Sequence, residues 1–278
     1  FARGHVLLQG DVGVGKTTLL RAFAQVLGGA FARTEGTIDL MPNDLIYYTY
    51  ITADGRPAVD PGPLIKHGDK LAIFFFNEIN RARPQVHSLL LRAMAERSVA
   101  AFNRDYRFEH LLVFADRNRV EREETFEISA AARDRFMMEV TIEAPTTDAE
   151  KRALMFDPRF HDTDRLISEL ASAMVAYDEL NHVSDVIQRN VQASDALQTY
   201  ALALWRATAA PAEYGVVLSD VDTARLMLAG ASPRGMSLLL RAARDELKDV
   251  PDDLANVPLF LGRIRMSTAL FAVRSHYE

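Results

Sequence analysis

The stretch "HVLLQGDVGVGKTTLLRAF", residues 5–23, decides the fold. Its first five residues read as a short buried strand, and Leu20, Phe23, Ala24 and Leu27 then recur at the 3.6-residue spacing of a helix with one apolar face. Between them "GDVGVGKT", Gly10–Thr17, fits the P-loop pattern G-x-x-x-x-G-K-[ST] in the context it requires, after a strand and before a helix. The reason is physical. Glycines let backbone N–H groups turn inward around phosphate, Lys16 carries charge to the β and γ oxygens, and Thr17 offers a hydroxyl to Mg²⁺. Gly10, Asp11, Val12, Gly13, Val14, Gly15, Lys16, Thr17 and Thr18 are therefore the candidate phosphate-binding residues. The competing reading is a glycine-rich turn that only caps a helix.

Downstream, "IFFFNEINRA", residues 73–82, is an apolar run that ends on one acidic residue instead of two. Glu78, just past the carboxyl end of a strand, is placed to polarise a water, or else is an exposed acid opening a loop. Asn77 stands where a P-loop ATPase normally carries an Asp for Mg²⁺, and an amide offers an oxygen without charge. Thr17 and Asn77 are the candidate metal-facing residues.

"HLLVFAD" at 110–116 and "MMEVTIE" at 137–143 read as further strands, and Pro84 opens a helix with Val86, Leu89, Leu90 and Met94 on one face. Strands alternating with helices imply a parallel, doubly wound α/β sheet. Between Thr34 and Lys70 the pattern breaks into Pro, Gly, Asp and Tyr over a length unusual for a connection, which suggests a functional insertion. "SVAAFNRDYRF" at 98–108 alternates around Asn103 as a hairpin would. After "APTTDAE" at 144–150 strand patterns stop, which places a domain boundary near residue 146. Helices are expected at 163–180, 193–208, 220–229 and 233–247.

Three further motifs carry candidate chemistry. Asn118 of "VFADRN" suits either a residue holding the attacking water or γ-phosphate, or an Asx-turn asparagine. In "ARDRF", Arg133 and Arg135 flank Asp134, either as a solvated charge cluster or with an arginine reaching a neighbouring subunit's nucleotide. Arg234 of "GASPRG", beside the helix-opening Pro233, faces phosphate or is an ordinary surface arginine. The seven histidines are scattered and none is assigned to metal or catalysis.

Composition narrows the classes. The net charge of −6 gives no bulk attraction for nucleic acid or an anionic membrane. With no cysteine, disulfides and thiolate metal sites are excluded, as suits a reducing compartment such as the cytoplasm. The longest apolar runs are strand-sized, so no membrane span is expected. No Asn-Lys dipeptide exists to begin a guanine-reading N-K-x-D motif. The chain opens at Phe1 without a methionine and reads as a fragment lacking its natural start.

The ordered set "GHVLLQGDVGVGKTT", "DLMPNDL", "PGPL", "NEINRARPQVHSLLLRAMAERSV", "VFADRN", "ARDRF" and "GASPRG" resembles the MoxR family of AAA+ ATPases over nearly the whole chain. The resemblance implies an α/β AAA+ core (1–146) with a mainly parallel sheet, a smaller all-helical lid (147–278), and ATP with Mg²⁺ as ligands. It implies assembly into a ring, commonly a hexamer. Lys16 and Thr17 match Walker A, Asn77 and Glu78 Walker B, Asn118 sensor 1, Arg135 the arginine finger acting in trans, and Arg234 the sensor 2 arginine. The insertion at 34–70 and the hairpin at 98–108 would be substrate-facing. Family members act as ATP-dependent chaperones that mature or activate enzyme complexes, with partners carrying a von Willebrand factor A domain. The chain departs from the family pattern at Asn77, at Asp11-Val12 where Pro-Pro is usual, at Arg117 where Gln is usual, and near Ala130 where a Glu is usual. From Asn77 the expectation is weakened hydrolysis, with a nucleotide-gated scaffold as the alternative and a DNA-acting motor behind both.

Overall fold

The computed structural model describes residues 2–117, 126–174, 176–215 and 231–247. The chain divides into two compact units. One joins His5–Ile128 to Glu139–Leu180, and the other joins Phe1–Gly4 to Ser129–Met138 and Asn181–Glu278.

The five-stranded sheet comprises β1 (His5–Gln9), β2 (Ala30–Glu35), β5 (Leu71–Asn77) and β8 (Leu112–Arg117) of the first unit with β9 (Phe136–Thr141), of which residues 139–141 belong to that unit. Their order across the sheet is β2-β5-β8-β1-β9. The β1–β8, β5–β8 and β2–β5 pairs are parallel, as the alternation of strands and helices requires. All seven residues of β5 are buried, the mark of a central strand covered on both faces. Phe75 packs with Leu8 of β1 and Leu20 of α1 (Lys16–Leu27), with Phe114 of β8 against the same cluster. Phe74 and Phe76 point the other way and meet edge-on at 6.5 Å. Each such ring withdrawn from water contributes about 2–3 kcal/mol, so this strand anchors the sheet.

On α1 the expected apolar face is narrower than its spacing suggests: Leu20 and Ala24 are buried, whereas Phe23 is 47% exposed. Helix α2 (Pro84–Glu96) starts at the expected proline and buries Val86, Leu90 and Met94. His5, at the start of β1, accepts the Val113 N–H at Nδ1, which leaves Nε2 to donate to the Met94 carbonyl.

The insertion is ordered. It forms an antiparallel hairpin, β3 (Tyr47–Ile51) with β4 (Pro57–Pro61). "PGPL" closes it: Gly62 N–H donates to the Ile46 carbonyl at 2.6 Å, and a Cβ on Gly62 would lie 2.7 Å from that backbone. The second hairpin, β6 (Ser98–Ala101) with β7 (Arg104–Arg107), turns on Phe102 and Asn103 at φ 52° and 59°. Two left-handed residues make the mirror-image turn that matches strand twist.

Past β9 the helices expected at 193–208 and 233–247 are present, as Asp195–Ala209 and Pro233–Leu247, whereas the earlier one is broken up. Helix α4 (Asp148–Phe156) begins at a capping box of Thr147 and Glu150, and the helix expected over 163–180 is only α5 (Thr163–Ser168), followed by turns and then α6 (Leu180–Asn190). The expected helix at 220–229 lies outside the described residues.

In the second unit α3 (Ala130–Arg133) accompanies α6, α7 (Asp195–Ala209) and α8 (Pro233–Leu247). The Trp205 indole donates to the Ala231 carbonyl at 2.7 Å, and Ala231 N–H donates to Thr208 Oγ1 at 2.9 Å, which ties α7 to "GASPRG". A cleft of about 570 Å³ opens between α6, α7 and α8.

Candidate nucleotide site

Strand β1 ends at Gln9, and the loop Gly10–Gly15 carries the chain into α1. Gly10 sits where a Cβ would lie 2.3 Å from the Ile142 carbonyl oxygen, while Gly13 and Gly15 have φ of 84° and 88°. Only glycine takes these positions without strain. The loop leaves the first turn of α1 with no side-chain cap and no acidic residue. That turn thus presents the positive end of the helix dipole with no acidic residue of its own, as suits an anion site.

Lys16 is only 7% exposed and folds back over the loop. Its Nζ donates to the Gly10 carbonyl at 2.7 Å and the Asp11 carbonyl at 3.2 Å, and pairs with Asp116 Oδ2 at 2.9 Å. Thr17 and Thr18 follow in the first turn of α1.

Asn77 ends β5, and its backbone carbonyl accepts from Gly36 N–H at 2.7 Å. Gly36 is another close approach, since a Cβ added there would lie only 2.1 Å from the Glu78 carbonyl oxygen. Glu78 has φ 53° and ψ 50°, a left-handed conformation that costs a non-glycine residue on the order of 1–2 kcal/mol. Three contacts hold this bend. Asp116 Oδ1 accepts the Glu78 N–H at 2.5 Å, Arg81 pairs with the Glu78 carboxylate at 3.0 Å, and His87 Nε2 lies 2.6 Å from the Ile79 carbonyl. Burial holds the His87 pKa below its ordinary value, with the Ile79 hydrogen bond opposing, so the ring is a neutral Nε2–H donor.

The structure therefore brings the P-loop, Asn77 and Glu78 together in the first unit. Asn118 lies outside the described residues. Arg135 and Arg234 belong to the second unit, where they gather around Asp134. Arg234 Nη1 pairs with Asp134 Oδ2 at 3.0 Å, Ser232 Oγ donates to Asp134 Oδ1, and Arg135 Nη1 donates to the Ala131 carbonyl at 2.7 Å.

Two participants escaped the sequence reading. Asp116 is 1% exposed and bridges Lys16 to the Glu78 backbone, and His87 supports the bend after β5. Asp116 was visible as the polar end of a buried strand, but only the order β5-β8-β1 shows that this strand lies beside the P-loop strand.

Among the described residues no cluster of three or more His, Cys, Asp or Glu could hold a metal. Mg²⁺ bound with a nucleotide needs no such cluster, because phosphate oxygens and waters fill most of its octahedron. A threonine hydroxyl, an amide and a buried carboxylate fit that demand.

A P-loop on a parallel sheet, with an acid at the end of a central strand, defines a nucleoside-triphosphatase core. Residues 5–138 match the family model described as "ATPase family associated with various cellular activities (AAA)". The chain is 59% identical to Protein MoxR of Methylorubrum extorquens, over 88% of this chain and 71% of that protein. It is 58% identical to Protein MoxR of Paracoccus denitrificans, over 87% and 71%, and 32% identical to Chaperone MoxR1 of Mycobacterium tuberculosis, over 87% and 60%. A crystal structure of a putative ATPase from Cytophaga hutchinsonii superposes with a TM-score of 0.72 at 29% identity, covering 88% of this chain and 71% of that one. The chain belongs to the MoxR family of AAA+ ATPases.

Proposed function

We propose that the chain is an ATP-driven chaperone that matures or activates an enzyme complex, working in the cytoplasm as a homo-hexameric or similar ring with a von Willebrand factor A domain partner. The observation that carries the ATP half is the uncapped α1 N-terminus behind Gly13 and Gly15, with Lys16 in the loop it closes. The chaperone half is supported by the name of the Mycobacterium tuberculosis relative. The acidic balance and the absence of an appended basic DNA-binding module in this sequence disfavour a DNA-acting motor.

The loop N–H groups and Lys16 bind and orient the phosphates. Thr17, Asn77 and Asp116 line the metal end, where Mg²⁺ would neutralise charge on the β and γ oxygens. Glu78 leaves Arg81, accepts a proton from water, and lets the oxygen attack the γ-phosphorus as its bond to the β-bridging oxygen breaks, giving ADP and phosphate. Asn118 orients that water, and Arg135 of a neighbouring subunit with Arg234 of the lid stabilises the developing charge. Asn77 offers the metal end an amide where an aspartate would add a further charge, so turnover is slower than an aspartate there would give.

The test is steady-state ATPase measured against protein concentration, with Lys16→Ala alongside. Activity per chain should climb as rings assemble, and Lys16→Ala should abolish both turnover and ATP binding. Tight ATP binding with no turnover at any concentration would instead support a nucleotide-gated scaffold, the reading that Asn77 favours.

A further inference from the structure

We propose that Asp116 supplies the carboxylate that faces the Mg²⁺ of bound Mg·ATP, carrying on β8 the charge that Asn77 lacks on β5. The inference rests on the reading of this site as an ATP site. Its starting point is strand register. Phe75 pairs with Phe114 and Phe76 with Ala115, so the next level of the two parallel strands holds Asn77 and Asp116. Side chains alternate along a strand. Phe75 and Phe114 face the α1 cluster, so Asn77 and Asp116, each two residues on, emerge on that same face, about 5 Å apart across the strand spacing.

β8 also lies between β5 and β1, with Asp116 paired to Leu8 just before the loop. Asp116 is therefore one strand nearer the phosphate loop than Asn77. Its carboxylate already reaches that loop, since Oδ2 is 2.9 Å from Lys16 Nζ, while Oδ1 fixes the Glu78 N–H. The same side chain thus touches the phosphate-binding lysine and the bend that carries the catalytic acid.

Burial supplies the driving force. Asp116 is 1% exposed, and Lys16 balances its charge. When Lys16 turns to the β and γ oxygens of ATP, a carboxylate stays behind in a site that water cannot reach. Taking the lysine's charge away from a buried carboxylate is costly, and a divalent cation arriving with the nucleotide is a replacement at hand. Lys16 and Mg²⁺ therefore exchange places as counterions of Asp116.

The experiment measures binding of a fluorescent ATP analogue in EDTA and in Mg²⁺, for the unmodified chain, Asp116→Asn, Asn77→Asp/Asp116→Asn and Lys16→Ala. Mg²⁺ should tighten binding to the unmodified chain, and Asp116→Asn should cut that enhancement by about tenfold or more. The double variant should recover it, because the carboxylate returns to the same level of the sheet. If Asp116→Asn tightens binding equally with and without Mg²⁺, Asp116 is only a latch on Lys16 and the proposal falls. Loss in Asp116→Asn without recovery in the double variant marks a structural strut and also overturns it. ATP binding that is indifferent to Lys16→Ala removes the ATP reading itself, a result separable from the others.

A measurement on the aspartate itself guards against misfolding of Asp116→Asn. Mn²⁺ with ATP is bound to a chain carrying [¹³C]aspartate and Asp11→Asn, which takes the P-loop's own aspartate out of range. Pulsed ENDOR should show a carboxylate carbon coupled to Mn²⁺. Its absence overturns the assignment.

Discussion

At Asn77 a single atom separates an amide from a carboxylate, and the difference is a full charge at the proposed metal end of the site. Asn77→Asp should raise ATPase activity, most where free Mg²⁺ is scarce, because a second acid strengthens metal binding without altering the phosphate contacts. Rates measured against free Mg²⁺ for both forms should converge when Mg²⁺ is abundant, and identical curves throughout would refute the metal argument. His87 gives a second test through pH. Its pKa in the fold is lowered from the ordinary value of 6.5, chiefly by burial. Below that value the unfolded chain takes up the proton that the folded chain resists, so stability is full above about pH 6.5 and erodes on acidification. Denaturant unfolding at pH 7.5 and 5.5 should show this loss in the unmodified chain and a smaller one in His87→Gln, whose amide still donates to the Ile79 carbonyl. A loss of equal size in both would place the titrating group elsewhere.

Between residue and molecule, the ends of β2 and β5 set the position of Glu78, the proposed general base. Gly36 follows β2 with no room for a side chain, because a methyl would meet the Glu78 carbonyl oxygen at 2.1 Å. Gly36→Ala should cost about 1–3 kcal/mol in unfolding experiments, as overpacking does, and should reduce turnover by displacing Glu78. Mg²⁺-free ATP affinity, set by the P-loop, should change little. Elements with strong local signals were legible in advance: β1, the P-loop, β5, α2 from Pro84, the hairpin at Asn103 and the helix at 233–247. The edge strand β2 was not, since "AFARTE" buries only Ala32 and Thr34 and carries charged residues on its open side. The span 163–180 has helical spacing but breaks into turns, because Ala173 takes φ 54° where Ala173, Met174 and Tyr177 donate to the end of α1. Long-range contacts of that kind leave no local trace. Asp116 was hidden for the same reason: its meaning lies in which strands flank β8.

The whole molecule is read through its neighbours. Arg135→Ala should leave ATP binding near normal and lower hydrolysis, since a finger acts on charge developing in another subunit's site. Mixed with Glu78→Gln chains it should regain part of the turnover, at interfaces where an intact Glu78 meets an intact Arg135. Mixed rings without recovery would remove the trans role, and rescue that depends on Arg133 would reassign the finger. The grip of Asp134 on Ser232 and Arg234 then acquires a wider meaning. That carboxylate sits one residue before Arg135, so the arginine proposed to serve a neighbouring subunit's nucleotide and the arginine proposed to serve this chain's own are moored at one point. In the proposed ring this mooring would let ATP arrival at one subunit be felt at Arg135, and through it at the next subunit. Asp134→Asn loosens the mooring while sparing both arginines. If the mooring couples the sites of the proposed ring, the Hill coefficient for ATP turnover should be above unity in the unmodified chain and fall towards unity in Asp134→Asn; equal coefficients in both would refute the coupling.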